Sequence, residues 1–161
     1  MAEYKVIDNF LPNDVLDKIL CNLYQADISW KCNHCTSNDL DVKGDFYFIH
    51  MIYHMTIKDE KSIKIIGEIL DKLNIKALIR VKMNLYTRTE FLQHHKDHTD
   101  YPYTHKGALF SLNTCDGCTV IDGKEIASVA NRMVFFDPSI RHHSTNCTNA
   151  PHRMNINFNY F

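Results

Sequence analysis

The sequence predicts a mainly β domain of the α+β class, in which N-terminal helices pack on one face of a β-sheet. Two amphipathic segments lie within the first 75 residues, and short β-like runs separated by turn residues fill the rest of the chain. The length of 161 residues fits one domain, and no repeat or linker divides it. We therefore predict a single domain over residues 1–161, with a helical N-terminal support over 1–75 and a β-rich core over 76–161.

Apolar residues three or four positions apart predict two helices. The first extends from about Pro12 to Tyr24, because Pro12 suits a first helical turn and Asp14 interacts favourably with the positive end of the helix. The second extends from about Glu60 to Leu73 and has one apolar face.

Runs of aromatic and aliphatic residues predict the strands. Between the two helices, Phe46–Ile52 is typical of a strand, whereas the polar segment Lys31–Lys43 predicts a long loop. Asp-Gly and Asp-Pro pairs separate several of the later runs, and such closely spaced short strands indicate a sandwich or barrel. The later predicted strands are Ala77–Tyr86, Gly107–Asn113, Thr119–Ile121, Lys124–Val129, Met133–Phe136 and Arg153–Phe161.

Charge and hydropathy exclude several classes of partner. The 18 basic and 19 acidic side chains give a formal net charge of -1, so sequence-independent binding to nucleic acid has little electrostatic support. No apolar stretch approaches the ~20 residues that span a bilayer, and the N-terminus does not look like a signal peptide. We expect a soluble cytoplasmic protein without a membrane partner, and the sequence leaves its oligomeric state open.

Four of the six cysteines form two C-x-x-C pairs, Cys32/Cys35 and Cys115/Cys118. Such pairs can bind zinc. These two lie about eighty positions apart, which is far wider than the spacing within a compact zinc module. Free thiols in a reducing compartment are therefore the favoured interpretation, with zinc as the alternative.

The segment Gln93–Asp100 contains His-x-Asp twice. Residues two apart on a strand point to the same side, so one imidazole and one carboxylate can reach a single metal. Two histidines and a carboxylate form the facial triad of non-haem Fe(II) oxygenases. The residues alone leave both the pair and the third ligand open. The candidates are the pairs His95/Asp97 and His98/Asp100, with a third ligand from His142 or His143.

A series of motifs in the C-terminal half, over roughly Lys76–Phe161, follows a recognisable order. The motifs are Asn84-Leu85-Tyr86, His98-Thr99-Asp100, Ala108–Asn113, Asp116–Thr119, Val134–Asp137, His142 and Arg153–Phe158. In this order they resemble the Fe(II)- and 2-oxoglutarate-dependent dioxygenases of the prolyl-4-hydroxylase-like kind. The resemblance implies a double-stranded β-helix (a cupin-like jelly roll) with the metal inside one mouth.

The resemblance also selects among the candidate metal ligands. It favours His98 and Asp100 over the other His-x-Asp pair, because an apolar strand follows them as it does in the family. It favours His142 over His143, because similar chains read His-x-Ser-Thr at this place. The implied metal ligands are therefore His98, Asp100 and His142.

The same resemblance implies the cosubstrate contacts. Arg153 corresponds to the cation that binds the distal carboxylate of 2-oxoglutarate, which suits the two-pronged geometry of a guanidinium. Tyr86 corresponds to a tyrosine that donates a hydrogen bond to the cosubstrate, although a core tyrosine is the alternative. Asn84 and Asn155 share strand parity with Tyr86 and Arg153 and are weaker candidates. Oxygenases that remove alkyl groups from nucleic acids have similar motifs, but they carry a second arginine where this chain has Asn159.

The resemblance implies an enzyme that uses Fe(II), 2-oxoglutarate and O2, with ascorbate as a candidate reductant. It would hydroxylate a C–H bond and release succinate and CO2. A peptidyl proline is one candidate substrate, and a nucleobase, an amino acid or a small metabolite are others. The rival hypothesis is a metal-binding jelly-roll module without turnover. We expect the polar segment near Cys32–Lys43 and the segment Tyr101–Lys106 to lie at the mouth of the site.

Overall fold

The computed structural model describes residues 3–34 and 46–161. Its helices are α1 (Asn13–Gln25), α2 (Glu60–Ile65) and α3 (Gly67–Leu73). The predicted first helix differs from α1 by one residue at each end. The predicted second helix is divided in two at Ile66, whose ψ of 9° departs from helical geometry. None of the helices in the described part of the chain is long and apolar enough to cross a membrane.

The described part of the chain contains eleven strands. They are β1 (Tyr4–Ile7), β2 (Lys31–His34), β3 (Phe46–His54), β4 (Thr56–Ile57), β5 (Leu78–Thr87), β6 (Lys106–Ser111), β7 (Cys118–Ile121), β8 (Lys124–Ala127), β9 (Arg132–Phe136), β10 (His142–Ser144) and β11 (His152–Tyr160).

The strands form two antiparallel sheets. The large sheet has the order β1-β9-β6-β11-β5-β3-β2, with β4 paired to β3, and the small sheet has the order β10-β7-β8. An apolar cluster that includes Leu109 and Val134 of the large sheet and Ile121 and Ile126 of the small sheet joins them. This two-sheet arrangement confirms the predicted mainly β fold class.

Strands β5 and β11 lie side by side at the centre of the large sheet, with opposite chemistry on their two faces. On one face Val81, Met83, Ile156 and Phe158 are fully buried, and they belong to the same core as residues of all three helices. Burying one such side chain contributes about 1.5–3 kcal/mol. The predicted packing of the helices on the outer face of a sheet is therefore confirmed. The opposite face of both strands carries polar and charged side chains and faces the small sheet.

The N-terminal part contributes more to the sheet than the predicted helical support. β1 adds to β9 at one end of the large sheet, and β2 adds to β3 at the other. The predicted loop over Lys31–Lys43 is therefore wrong for Lys31–His34, which pair with β3, and its remainder lies outside the described residues. The sequence gives little sign of these edge strands because they are short and mostly exposed.

Candidate active site

A cleft of about 330 Å³ lies between the two sheets. Its floor is the polar face of β5 and β11, where the alternation of strand side chains places every second residue on the same side. β10 and residues 95–100 form part of the opposite wall. All residues predicted to bind metal lie along this cleft, together with three of the four predicted cosubstrate contacts; Arg153 lies beside it, under Tyr86.

His98, Asp100 and His142 converge on one point of the cleft. Each offers one ligand atom, and these atoms all lie within 4.8 Å of one another. Two reciprocal backbone hydrogen bonds hold the two histidines side by side, because the amide of each donates to the carbonyl of the other at 3.0 Å. The donor set has the composition of a facial triad, two imidazoles and one carboxylate.

The protonation of both imidazoles suits metal binding. Nδ1 of His98 lies 3.3 Å from the carbonyl oxygen of Lys96, and Nδ1 of His142 lies 2.8 Å from that of Ile140. A carbonyl can only accept, so each Nδ1 carries the proton and each Nε2 keeps its lone pair for a metal. Burial lowers the pKa of His98 and of His142, which favours the neutral form that binds metals.

Asp100 is held by two partners at the floor of the cleft. A guanidinium nitrogen of Arg80 lies 2.6 Å from its Oδ1, and Nδ2 of Asn157 donates to its Oδ2 at 3.3 Å. Burial raises the pKa of Asp100, but the positive charges of Arg80 and Lys82 outweigh burial and hold this pKa well below its usual range. The carboxyl group is therefore an anion at neutral pH.

The alternative ligand candidates lie outside this cluster and have hydrogen-bond partners of their own. Nδ1 of His143 donates to Oδ1 of Asp97 at 2.6 Å, and Nε2 of His143 lies 3.1 Å from Nδ1 of His94. Nδ1 of His95 lies 3.0 Å from the hydroxyl of Ser144. His142 and His143 point to opposite sides because they are neighbours on β10, so one of them faces the cluster and the other faces away.

Arg153 is a buried cation at the inner end of the site, with only 1% of its surface exposed. Nη1 donates to the carbonyl of Thr145 at 2.9 Å and Nη2 to the hydroxyl of Thr119 at 2.7 Å. Nε is buried without a hydrogen-bond partner, and no carboxylate of the described residues pairs with the guanidinium. A buried charge without a counter-ion is costly, so this arrangement favours an anionic ligand.

The backbone packs tightly around Arg153 at Gly117. A Cβ atom at this position would lie 2.2 Å from the carbonyl oxygen of Asn146 and 2.7 Å from Cδ of Arg153. Both distances are far below van der Waals contact, so this position requires a glycine for close packing. The absence of a side chain here makes room for the aliphatic part of Arg153.

Tyr86 lies over the guanidinium, with its ring centroid 5.2 Å from Cζ of Arg153. Its ring stacks on those of Tyr47 and His95, at centroid distances of 5.1 and 5.2 Å. Its hydroxyl accepts a hydrogen bond from Ser144 at 3.0 Å. A phenolic hydroxyl has one donor and acceptor lone pairs, so Tyr86 has the chemistry to give a hydrogen bond to a ligand as well as to accept one.

Asn84 and Asn155 pair with each other across neighbouring strands. Nδ2 of Asn84 donates to Oδ1 of Asn155 at 2.8 Å, and both side chains line the cleft. Oδ1 of Asn84 is buried without a partner among the described residues. The pair can therefore offer a ligand one acceptor from Asn84 and the amide donors of Asn155.

The cysteine pairs do not form a compact ligand cluster within the described part of the chain. Cys115 and Cys118 are buried free thiols, whereas Cys32 is an exposed free thiol on β2 and Cys35 lies outside the described residues. The one group of three metal-binding side chains found among the described residues is His98, Asp100 and His142.

The sequence reasoning missed three polar residues that complete the site: Arg80, Thr119 and Ser144. Arg80 shares the strand parity of Tyr86, so the period-two rule could have placed it on the same face of β5. Its register partner on β11 is Asn159, the position where the nucleic-acid demethylases have a second arginine. Thr119 and Ser144 contact Arg153 and Tyr86 only because the small sheet folds over the large one, which no local pattern indicates.

The comparisons with known proteins concern the fold. No family model matches the sequence, and no curated protein is similar to it in sequence. Solved structures match over nearly the whole chain. A Pseudomonas putida prolyl-4-hydroxylase has a TM-score of 0.65 and 13% identity, covering 99% of this chain and 93% of that one. A Trichoplax adhaerens prolyl hydroxylase, solved with a hypoxia inducible factor peptide, has a TM-score of 0.67 and 20% identity, covering 98% and 83%.

A third similar structure is that of an enzyme named for a different reaction, an epimerisation. The non-haem α-ketoglutarate-dependent epimerase SnoN of nogalamycin biosynthesis has a TM-score of 0.70 and 13% identity, covering 99% of this chain and 78% of that one. At these identities the likeness is one of fold. The resemblance implied by the sequence is confirmed at that level. The chain has the jelly-roll fold of the prolyl-4-hydroxylases and other Fe(II)- and 2-oxoglutarate-dependent oxygenases.

Proposed function

We propose that the protein is an Fe(II)- and 2-oxoglutarate-dependent dioxygenase that hydroxylates a C–H bond. One observation carries the proposal: His98, Asp100 and His142 converge in a cleft beside the buried Arg153, which pairs with no carboxylate of the described residues. A metal-binding module without turnover has no need of the buried cation. The cation and the metal ligands together fit a cosubstrate that has both a chelating end and a distal carboxylate.

The donor set fits Fe(II). Two neutral imidazoles and one carboxylate leave half of an octahedral coordination sphere for other ligands, as in non-haem Fe(II) oxygenases. His98, Asp100 and His142 would hold the metal, each already in the protonation state that binds it. The backbone carbonyls of Lys96 and Ile140 fix the orientation of the two imidazole rings.

The residues beside the metal cluster fit 2-oxoglutarate. Arg153 would bind the distal carboxylate of 2-oxoglutarate, and the hydroxyl of Tyr86 would donate a hydrogen bond to the same carboxylate. Ser144 orients the Tyr86 hydroxyl, and Thr119 and Thr145 hold the guanidinium in place. When bound, iron and 2-oxoglutarate supply the oxidising chemistry, in which O2 hydroxylates the substrate and the cosubstrate becomes succinate and CO2.

For the substrate, we propose a peptidyl proline as the first candidate. Two structures of similar fold are prolyl hydroxylases, and the partly exposed Tyr47 lines the cleft. An aromatic side chain at this place suits the packing of a proline-containing peptide. A nucleobase, a free amino acid or a small metabolite are the other candidates. A mass-spectrometric screen for an oxygen-dependent gain of one oxygen atom distinguishes these classes.

The central experiment measures metal binding and cosubstrate turnover separately. Calorimetry under nitrogen with Fe(II) tests the metal site, and oxygen-dependent release of succinate from 2-oxoglutarate tests the reaction. His98→Ala and Asp100→Ala should abolish both, because each removes a ligand. His54→Ala is the matched control, since His54 is exposed and lies outside the cleft.

Two results would contradict the proposal. Full turnover in His98→Ala, with loss in His95→Ala, would show that the other His-x-Asp pair binds the metal. Tight metal binding by the wild type without release of succinate, in the presence of O2 and 2-oxoglutarate, would favour the non-catalytic binding module.

A further inference from the structure

A line of buried polar side chains leads from Asp100 away from the cleft. Asn157 donates from Nδ2 to Oδ2 of Asp100 at 3.3 Å, and Asn159 donates from Nδ2 to Oδ1 of Asn157 at 2.9 Å. Oδ1 of Asn159 then lies 2.7 Å from Nε2 of His105. The exposed fractions of Asn157, Asn159 and His105 are 8%, 0% and 5%. The two asparagines are two residues apart on β11 and therefore lie on the same face.

The direction of every hydrogen bond in this line is set at Asp100. An ionised carboxylate only accepts, so the amide nitrogen of Asn157 must face it, and the amide oxygen of Asn157 faces Asn159. Asn159 must then present its nitrogen to Asn157 and its oxygen to His105. Reversing both amides would place the oxygen of Asn157 against the carboxylate, where two acceptors would repel each other. Nε2 of His105 therefore donates a hydrogen bond to Oδ1 of Asn159.

The other ring nitrogen of His105 is also a donor. Nδ1 lies 2.8 Å from the backbone carbonyl oxygen of Tyr103, which can only accept. A neutral imidazole has one N–H group, so it can make one of these two bonds but not both. The hydrogen bonds are all satisfied only when His105 is the doubly protonated imidazolium ion.

The surroundings of His105 are consistent with a positive charge. The rings of Tyr101 and Tyr103 lie 5.4 and 5.5 Å from its ring, and the guanidinium of Arg80 lies on Tyr101. The counter-charge comes from Asp137, which follows β9 in the chain. Burial raises the pKa of Asp137, but hydrogen bonds from Ser139 and from the backbone N–H of His105 outweigh it, and the charge of His105 lowers this pKa further.

We propose that His105 is a positioning residue for the metal site, which acts through Asn159 and Asn157 to fix the orientation of the Asp100 carboxylate. The proposal rests on the proposed function, in which Asp100 binds the metal. With a donor at Nε2 of His105, each amide has one orientation. Without that donor, both amides can turn and Asp100 is held less firmly. Partners that orient a metal ligand influence metal affinity even when they do not touch the metal.

The first test observes the proton directly. In the metal-free protein labelled with nitrogen-15, long-range proton–nitrogen spectra distinguish an imidazolium from either neutral tautomer, and His105→Gln assigns the signal among the ten histidines. We expect both ring nitrogens of His105 to carry protons at neutral pH. A singly protonated ring at neutral pH would overturn the inference, whatever the protein catalyses.

The second test measures the affinity for Co(II) by calorimetry. The variants are His105→Gln, whose amide can still donate to Asn159, and His105→Leu and Asn159→Leu, which break the line. We expect both leucine variants to bind about 3- to 10-fold more weakly than the wild type at neutral pH. His105→Gln should stay close to the wild type.

Rescue by the conservative variant separates a positioning role from a structural one. His105→Gln keeps a donor for Asn159 and should recover the affinity that His105→Leu loses, whereas equal losses in His105→Gln and His105→Leu would overturn the inference. Equal affinities in all variants would overturn the inference and leave the proposed function intact. Failure of the wild type itself to bind Co(II) would refute the metal site of the proposed function, and the positioning role with it.

Discussion

Replacing Arg153 by alanine is expected to weaken 2-oxoglutarate binding while metal binding persists. The guanidinium is 1% exposed, and no carboxylate of the described residues neutralises it. Removing one partner of such a buried charge pair typically costs ~2–5 kcal/mol, because the other charge is left unpaired. That range corresponds to an increase of about 30- to 5,000-fold in the dissociation constant of 2-oxoglutarate. The metal ligands lie on other residues and stay in place.

The same substitution has a cost in stability that the experiment must separate from binding. The carbonyl of Thr145 and the hydroxyl of Thr119 lose their donor in Arg153→Ala, and each unsatisfied group costs about 1–3 kcal/mol. A thermal melt therefore accompanies each titration. Arg153→Lys is the matched control, because it keeps the charge but loses the planar fork, and its affinity should lie between those of alanine and the wild type.

The assay is a calorimetric titration of 2-oxoglutarate into the Co(II)-loaded protein under nitrogen, preceded by a titration of the metal alone. Unchanged 2-oxoglutarate affinity in a folded, metal-binding Arg153→Ala would refute the reasoning. The distal carboxylate would then bind elsewhere, and the assignment of this last strand to the family's cosubstrate strand would be wrong. Loss of both metal and cosubstrate binding would indicate that Arg153 acts by holding the fold.

Three further predictions concern the metal site and its surroundings. His142→Ala should remove Fe(II) binding measured by calorimetry, whereas His143→Ala should weaken activity by less; the reverse ranking would make His143 the ligand. Gly117→Ala should weaken 2-oxoglutarate binding at least about 10-fold and lower the melting temperature, because its methyl group meets Asn146; wild-type affinity would contradict this. Burial lowers the pKa of His98 and His142, so the unfolded chain binds more protons below about pH 6.5. The metal-free protein should lose up to about 1.4 kcal/mol of stability per pH unit per histidine on acidification, and a flat profile in denaturant melts would exclude it.

The sequence was most informative where side chains of one chemical type recur at every second residue of a strand. Alternation along β11 placed Arg153 and Asn155 on one face, and the same rule placed Asn84 and Tyr86 on one face of β5. The structure shows these two faces lying side by side in register, with Arg153 opposite Tyr86. Local periodicity therefore predicted which side chains share a face of each strand, and the resemblance supplied their proposed roles.

What the sequence could not show depends on contacts between distant segments. Arg80 has the right parity, but its carboxylate partner comes from a loop twenty positions later in the sequence. The choice between His98 and His95 as metal ligand also depends on distant contacts, because the two His-x-Asp pairs have the same residue types and spacing. In the structure, His98 pairs with His142 through the backbone, a contact between distant segments that no local pattern indicates. Strand β10 has three residues and pairs with β7 and with His98, both distant in sequence, so no local signal predicts it.

The reciprocal backbone hydrogen bonds between His98 and His142 have a consequence for how the protein acquires its metal. The main chain itself brings these two residues together. Their conformational entropy is therefore lost when the chain folds and not when the ion binds. The metal-free protein should therefore be folded, unlike a zinc finger, whose folding depends on its ion. Metal then adds stability by mass action alone, about 2.7 kcal/mol at a free concentration one hundred times the dissociation constant. Chelation and reloading would be reversible, so the protein could exchange its ion without unfolding.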